Sequence, residues 1–173
     1  MKLKRTIDAV LFMLLMMLMA YSFMESWMHE LLGIIMIFLV LLHEIVNRKW
    51  FRSLFKGNYS LTRKVFAVIN FCLIIGIVLA FVSGLSMSEF ISIFDFIPVG
   101  LARRIHMVSV HWVFVFMALH LGMHFKAIVT SLHLKISKQS EIVQVVFNDL
   151  IYYLVIGVGI LCFIKNRMIA YLC

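Results

Sequence analysis

Four histidines recur at one spacing within two apolar segments of the chain. His29 and His43 lie 14 residues apart in the first segment, and His106 and His120 repeat this separation in the second. Because 14 residues of α-helix fall only about 40° short of whole turns, each pair occupies one helix face, with roughly 21 Å between its members. Imidazole is a common metal ligand, and ionisable groups at membrane depth are typically functional. The spacing therefore indicates metal chemistry inside a membrane.

Two parallel helices that each carry such a pair can form two stacked sites, with one ligand from each helix. Counted from the start of each predicted helix, His29 matches His106 in depth, and His43 matches His120. Two neutral imidazoles can serve as the axial ligands of a haem and leave no open position for O₂. The pattern therefore predicts two haems b, an outer one on His29 and His106 and an inner one on His43 and His120, suited to electron transfer.

Two further histidines lie in the same segment. His124 is 18 residues from His106, or about five whole turns, so it shares the ligand face. It could replace His120, but its depth matches His43 less well, and contact with the inner haem's propionates or with a quinone is the preferred interpretation. His111 lies about 140° away from that face, which favours an ordinary packed histidine.

Other residues near the predicted ligands have two interpretations each. Gly33 lies one turn after His29 and leaves room either for a flat macrocycle or for close helix packing. Arg103 and Arg104 stand just outside the outer pair and could hold haem propionates or act as interfacial anchors. Asp8 is interpreted as a carboxylate near the membrane interface at a helix N-terminus.

The composition excludes an ordinary soluble domain. Of the 173 residues, 64% are hydrophobic and one is proline, which is typical of helices in lipid. The net charge is +8, but the basic residues lie between apolar runs, where they interact with lipid and set topology, so nucleic acid is not an expected partner. The three cysteines form no CxxC or CxxCH motif, so zinc binding and covalent haem attachment are not expected.

The chain is predicted to be all-α, a single integral membrane domain over residues 1–173 with about five transmembrane helices. The predicted helices cover residues 7–24, 27–46, 65–85, 105–125 and 143–164. The first is read as a retained span because it is longer than the apolar core of a signal peptide. The third carries no histidine and is assigned a packing role. The loop of residues 86–102 is apolar enough for a short interfacial helix, and both haems are placed between the second and fourth helices.

Charge predicts the orientation of this bundle. With the N-terminus inside, 12 of the 16 lysines and arginines fall on the cytoplasmic side. Positive residues are enriched in cytoplasmic loops of membrane proteins. A cytoplasmic N-terminus is therefore predicted, with the second and fourth helices both running from outside to inside.

Several motifs resemble those of a known group. They are HELLG at 29–33, LLH at 41–43 leading to RKW at 48–50, RRIH at 103–106 and LHLGMH at 119–124. They resemble the small bacterial membrane di-haem cytochromes b, most closely the flavinylation-associated cytochrome family, and more distantly the cytochrome b subunits of formate dehydrogenases and hydrogenases. The resemblance covers about residues 1–126. Where that family often has a further histidine, four residues after the LLH element, this chain has Asn47.

The resemblance implies two b haems and electron transfer in the bacterial cytoplasmic membrane. It also implies a flavin-carrying or other redox partner on the outer side, and a membrane quinone or a cytoplasmic donor on the inner side. An electron-transfer subunit is favoured over a stand-alone enzyme, because the sequence contains no evident nucleophile–base pair.

Two other classes of function stay open. The first predicted helix contains five methionines, namely Met13, Met16, Met17, Met19 and Met24. Soft thioether ligands with histidines would suit a copper transporter or chaperone. In the remaining alternative the histidines only make hydrogen bonds between helices, and the protein is a membrane anchor subunit without a cofactor.

Overall fold

The computed structural model describes residues 2–54, 56–57, 60–89, 91 and 97–136. Within these ranges the chain is helical and contains no strand, as predicted. The helices are α1 (Lys2–Met19), α2 (Ser26–Val46), α3 (Lys49–Ser53), α4 (Leu61–Leu85) and α5 (Val99–Ile136), with a 3₁₀ turn at Tyr21–Phe23.

Three of these helices are long and apolar enough to cross a membrane. They are α2, α4 and the Val99–His124 part of α5, with 21, 25 and 26 residues, and about 20 apolar residues suffice for a span. Five such helices were predicted. The first predicted span is replaced by α1, whose 18 residues include the charged residues Lys2, Lys4, Arg5 and Asp8. The fifth predicted helix lies outside the described residues.

The helix limits differ from the predicted ones because hydropathy and helix formation do not end together. The helix α1 begins at Lys2 rather than at residue 7. Likewise, α5 begins directly after Pro98, whose carbonyl accepts from the amides of Leu101 and Ala102 at 2.8 and 2.9 Å. It continues to Ile136, past the predicted end at residue 125, since no proline or glycine interrupts that stretch.

The helices α1 and α2 form an antiparallel hairpin. One face of α1 is buried along α2, and it carries Ile7, Leu11, Leu14 and Leu15. Side-chain contacts join the two arms at matching heights, pairing Lys4 with Asn47, Asp8 with His43 and Tyr21 with His29. From one contact to the next, nearly the same number of residues separates the partners along each of the two helices. The hairpin register thus determines which side chains of α1 meet the histidines of α2.

The end of α4 lies beside the start of α2. There the Glu30 carboxylate accepts a hydrogen bond from the Ser88 hydroxyl and lies 3.4 Å from the Glu89 amide nitrogen. The start of α4 is capped by Ser60, which accepts from the Arg63 amide at 3.3 Å. Because the end of α4 lies beside the start of α2, the two helices run antiparallel.

The helices α4 and α5 approach closely through small residues. A Cβ added to Gly76 would lie 2.6 Å from Cγ2 of Val113, so a larger residue at this position would require the Val113 side chain to shift. Gly76, Ala80 and Gly84 recur every four residues along α4, and this pattern of small residues favours helix contacts in membranes.

The chain divides into two compact units, Met1–Phe116 and Met117–Cys173. The first unit contains α1 to α4 and the beginning of α5. The second contains the remainder of α5, with His120 and His124.

Candidate metal centre

The structure brings the predicted outer pair of histidines together. His29 lies in the first turn of α2 and His106 in the second turn of α5. Their ring centroids are 6.2 Å apart, and the ring planes meet at 77°. Two imidazoles that bind one metal ion from opposite sides, through nitrogens about 2 Å from it, place their centroids about 6 Å apart. The spacing of the two rings therefore fits a shared metal ion.

The helix α4 holds the ring of His106 in place. Its Nδ1 lies 2.8 Å from the carbonyl oxygen of Ala80 and 3.4 Å from Oγ of Ser83. Because a carbonyl oxygen only accepts hydrogen bonds, this contact requires Nδ1 to carry the proton. Nε2 is then the nitrogen with the free lone pair, as in metal-binding histidines whose other nitrogen donates to the protein.

The small residues of α4 make this contact possible. A Cβ added to Gly84 would lie 3.4 Å from Cε1 and 3.5 Å from Nδ1 of His106, so the imidazole packs directly against the α4 backbone. Ser83 is 1% exposed, and its hydroxyl donates to the carbonyl of Leu79 at 2.6 Å. The third predicted helix, to which only packing was assigned, thus orients a candidate ligand. The four-residue spacing of its small residues is the sequence signal that was missed.

The ring of His29 is buried on one side. Its Nδ1 is inaccessible to solvent and has no hydrogen-bond partner among the described residues. The aromatic ring of Tyr21 packs edge-on against the imidazole, with centroids 5.0 Å apart. A buried polar atom without a partner often marks a functional role or a bound ion. The orphaned nitrogen of His29 is therefore a second observation that fits a bound metal group.

Gly33 leaves open space on α2. No described atom outside its own stretch of helix lies within 4 Å of the position that a Cβ would take. No described helix therefore packs closely against Gly33, and the room for a flat group stays a prediction.

The inner histidine of α2 contacts α1. Nδ1 of His43 lies 2.9 Å from Oδ1 of Asp8, and the His43 side chain is 28% exposed. Asp8 was expected near a helix N-terminus, but α1 begins six residues earlier and has no acidic residue in its first turn. The partner of the carboxylate is a histidine, which the position of Asp8 in the sequence alone did not indicate.

Asn47 also contacts His43. Its amide nitrogen lies 3.0 Å from the His43 carbonyl oxygen, and its amide oxygen accepts from Nζ of Lys4 at 3.0 Å. Asn47 therefore joins α1 to the end of α2.

In the second unit, His120 and His124 lie on successive turns of α5. Their ring centroids are 4.9 Å apart, with the planes at 61°. The pairing of His43 with either of them stays a prediction. His111, in the first unit, is buried, and its Nδ1 lies 2.6 Å from the Met107 carbonyl oxygen, an arrangement typical of a packed histidine.

Arg103 and Arg104 are exposed at the start of α5. Arg104 borders a groove of about 450 Å³ between α4 and α5, which is otherwise lined by mostly apolar residues such as Leu79 and Trp112. Both the propionate contact and the interfacial anchoring stay predictions.

Within the described ranges, no group of three or more His, Cys, Asp or Glu side chains is placed to hold a metal ion. The outer site is a pair, and a pair is sufficient for a haem because the macrocycle supplies the other four ligands. No protein-family model, curated protein or solved structure matches this chain. The nature of the site therefore rests on its own geometry.

Proposed function

We propose that the protein is a membrane cytochrome b that passes electrons across the bilayer through two haems, each held by two histidines. The observation that carries this proposal is the 6.2 Å separation of the His29 and His106 ring centroids, which matches two axial ligands of one iron. The three apolar helices of the described chain support a location in the membrane.

The residues of the outer site have separate tasks. The ring of His106 is oriented because its Nδ1–H donates a hydrogen bond to the Ala80 carbonyl, which would leave Nε2 available as a ligand. His29 would supply the second ligand, and Gly33 would leave space for the macrocycle. A haem with two histidine ligands takes up and releases one electron and offers no position for O₂. Arg103 and Arg104 would balance the negative propionates.

The inner site would use His43 together with His120, or with His124 in its place. Taking the helical rise as a guide, the two sites lie about 20 Å apart along the membrane normal, which covers most of a hydrocarbon core of about 30 Å. The two haems would then connect the two membrane surfaces.

The complete proposal includes features beyond these sites. The bundle has about five spans, with α1 and residues 143–164 as the other two, and a cytoplasmic N-terminus in the bacterial cytoplasmic membrane. A flavin-carrying or other redox protein acts on the outer side, and a quinone or cytoplasmic donor on the inner side. The protein serves as the electron-transfer subunit of such a system.

The test is a reduced-minus-oxidised absorption spectrum of protein purified after expression with ample haem, with haem content from the pyridine haemochrome. We expect a b-type spectrum and about two haems per chain. His29→Ala and His106→Ala should each lower the ratio to about one. His111→Gln is the matched control, since this histidine is bound to its own helix, and it should leave the ratio unchanged.

Other results would contradict the proposal and favour a different class. A colourless protein that still assembles would favour a membrane anchor. Copper binding that depends on the methionines of the first predicted helix, without haem absorbance, would favour a soft-metal transporter.

A further inference from the structure

His106 and His43, two of the candidate ligands, have different hydrogen-bond partners at Nδ1. Nδ1 of His106 faces the neutral carbonyl of Ala80 at 2.8 Å. Nδ1 of His43 faces the carboxylate of Asp8 at 2.9 Å. Both partners accept hydrogen bonds, so both rings carry the proton on Nδ1 and present Nε2, but only the partner of His43 is an anionic group.

The position of Asp8 is determined by the packing of α1. Ile7 and Leu11, on either side of it, are 6% and 8% exposed, and Lys4, one turn earlier, is bound to Asn47 at 3.0 Å. These contacts hold α1 in register along α2, so the carboxylate lies at the height of His43.

Asn47 leaves the second nitrogen of His43 available. Its amide nitrogen is 3.4 Å from Nδ1 and 3.3 Å from Nε2. A donor on the lone-pair axis of Nε2 would be much farther from Nδ1 than from Nε2, because that axis points away from the rest of the ring. The near-equal distances show that Asn47 makes no directed bond to Nε2, and its hydrogen bond goes to the His43 carbonyl instead.

We propose that Asp8 is a positioning residue: it orients the ring of His43 so that Nε2 faces the inner iron. Its carboxylate also lowers the midpoint potential of the inner haem below that of the outer haem. A carboxylate that accepts a hydrogen bond from Nδ1–H makes the imidazole a more basic ligand, and a more basic ligand stabilises the oxidised iron. This inference rests on the proposed function. It follows that electrons pass downhill from the inner haem to the outer haem.

The experiment is a spectroelectrochemical titration of single-haem proteins. His29→Ala leaves the inner haem and His43→Ala leaves the outer haem, so each potential is measured by itself. We expect the lower potential in the His29→Ala protein. Asp8→Asn, which keeps the shape of the side chain and removes its charge, should raise the potential in that protein and leave it unchanged in the His43→Ala protein.

Two matched variants separate the charge of Asp8 from its contribution to packing. Asp8→Glu retains the carboxylate and should keep the low potential. Lys4→Gln changes the contact of Lys4 with Asn47 and should not raise the potential, since it removes a positive charge. Electron paramagnetic resonance of the oxidised inner haem should report a less basic ligand in Asp8→Asn only.

Failure of the inference differs from failure of the proposed function. If His29→Ala and His43→Ala each retain one haem but Asp8→Asn leaves the inner potential unchanged, Asp8 is only a contact between α1 and α2. The same conclusion follows if Asp8→Asn lowers the melting temperature without changing the midpoint potential of the inner haem. If neither histidine variant loses a haem, the bis-histidine proposal itself is wrong.

Discussion

The imidazole rings of His29 and His106 lie with their centroids 6.2 Å apart and their planes at 77°, although they belong to helices far apart in the sequence. The two rings differ in the hydrogen-bond partner of Nδ1. Nδ1 of His106 has the Ala80 carbonyl as its partner, whereas Nδ1 of His29 has none among the described residues. In the proposed cytochrome, His106 would therefore be oriented before the haem binds, whereas His29 would gain a partner only on binding.

This asymmetry makes His29 the better position for exchanging a ligand. We expect His29→Met to retain the outer haem with a higher midpoint potential, because histidine–methionine ligation raises the potential relative to two histidines. Redox titration of the His43→Ala background, which isolates the outer haem, measures the change. An unchanged potential with full haem content would show that His29 is not a ligand.

The inner ligand of α5 can be identified by single replacements. His120 and His124 are on successive turns with ring centroids 4.9 Å apart, so each is a plausible ligand by position. We expect His120→Ala to lower the haem content to about one per chain and His124→Ala to leave it near two. The pyridine haemochrome assay distinguishes the two variants. The reverse result would assign the ligand role to His124, and loss from neither would contradict the inner pairing.

Gly84 provides a steric test of the outer site. A Cβ at this position would lie 3.4 Å from the ring of His106, which is ordinary contact, so Gly84→Ala should keep both haems. Gly84→Val adds two methyl groups against the imidazole and should displace it, with loss of the outer haem. Gly100→Val is the control, because no described atom beyond its own helix approaches its Cβ position within 4 Å. Retention of both haems in Gly84→Val would contradict the packing of His106 against α4.

The contact between Gly76 and Val113 supports the α4–α5 interface. A methyl group on Gly76 would meet Cγ2 of Val113 at 2.6 Å, so Gly76→Ala should destabilise the fold by about 1–3 kcal/mol. Thermal unfolding in detergent measures the loss. Adding Val113→Ala removes the opposing methyl groups and should recover part of it, giving a favourable coupling energy in the double-mutant cycle. Strict additivity of the two changes would show that the side chains do not meet.

The predicted orientation can be tested by cysteine labelling. The native cysteines are first replaced by serine, and Glu25→Cys or Lys56→Cys is then introduced at an exposed position. With the basic loop inside, an impermeant maleimide applied to spheroplasts should label residue 25 and should reach residue 56 only after lysis. Labelling of residue 56 in intact spheroplasts would reverse the topology.

The sequence alone predicted the helices that have strong hydrophobic patterns. The predicted spans 27–46 and 65–85 correspond closely to α2 and α4, because apolar runs of this length are helical in lipid. The sequence also predicted that His29 and His106 would meet, since helical periodicity and parallel direction already determine which residues share a face and a depth. The limits of α1 and α5 were less predictable, because both helices continue into polar sequence.

Only the tertiary structure decided what surrounds each histidine. The pairing of Asp8 with His43 depends on the register of the α1–α2 hairpin, and the contact of His106 with the Ala80 carbonyl depends on how closely α4 approaches α5. The periodicity of a sequence describes one helix at a time, so it contains neither the register of a hairpin nor the distance between two helices. Register and distance between helices are set by packing of the whole bundle, so the orientation of each ring became visible only when the helices were assembled.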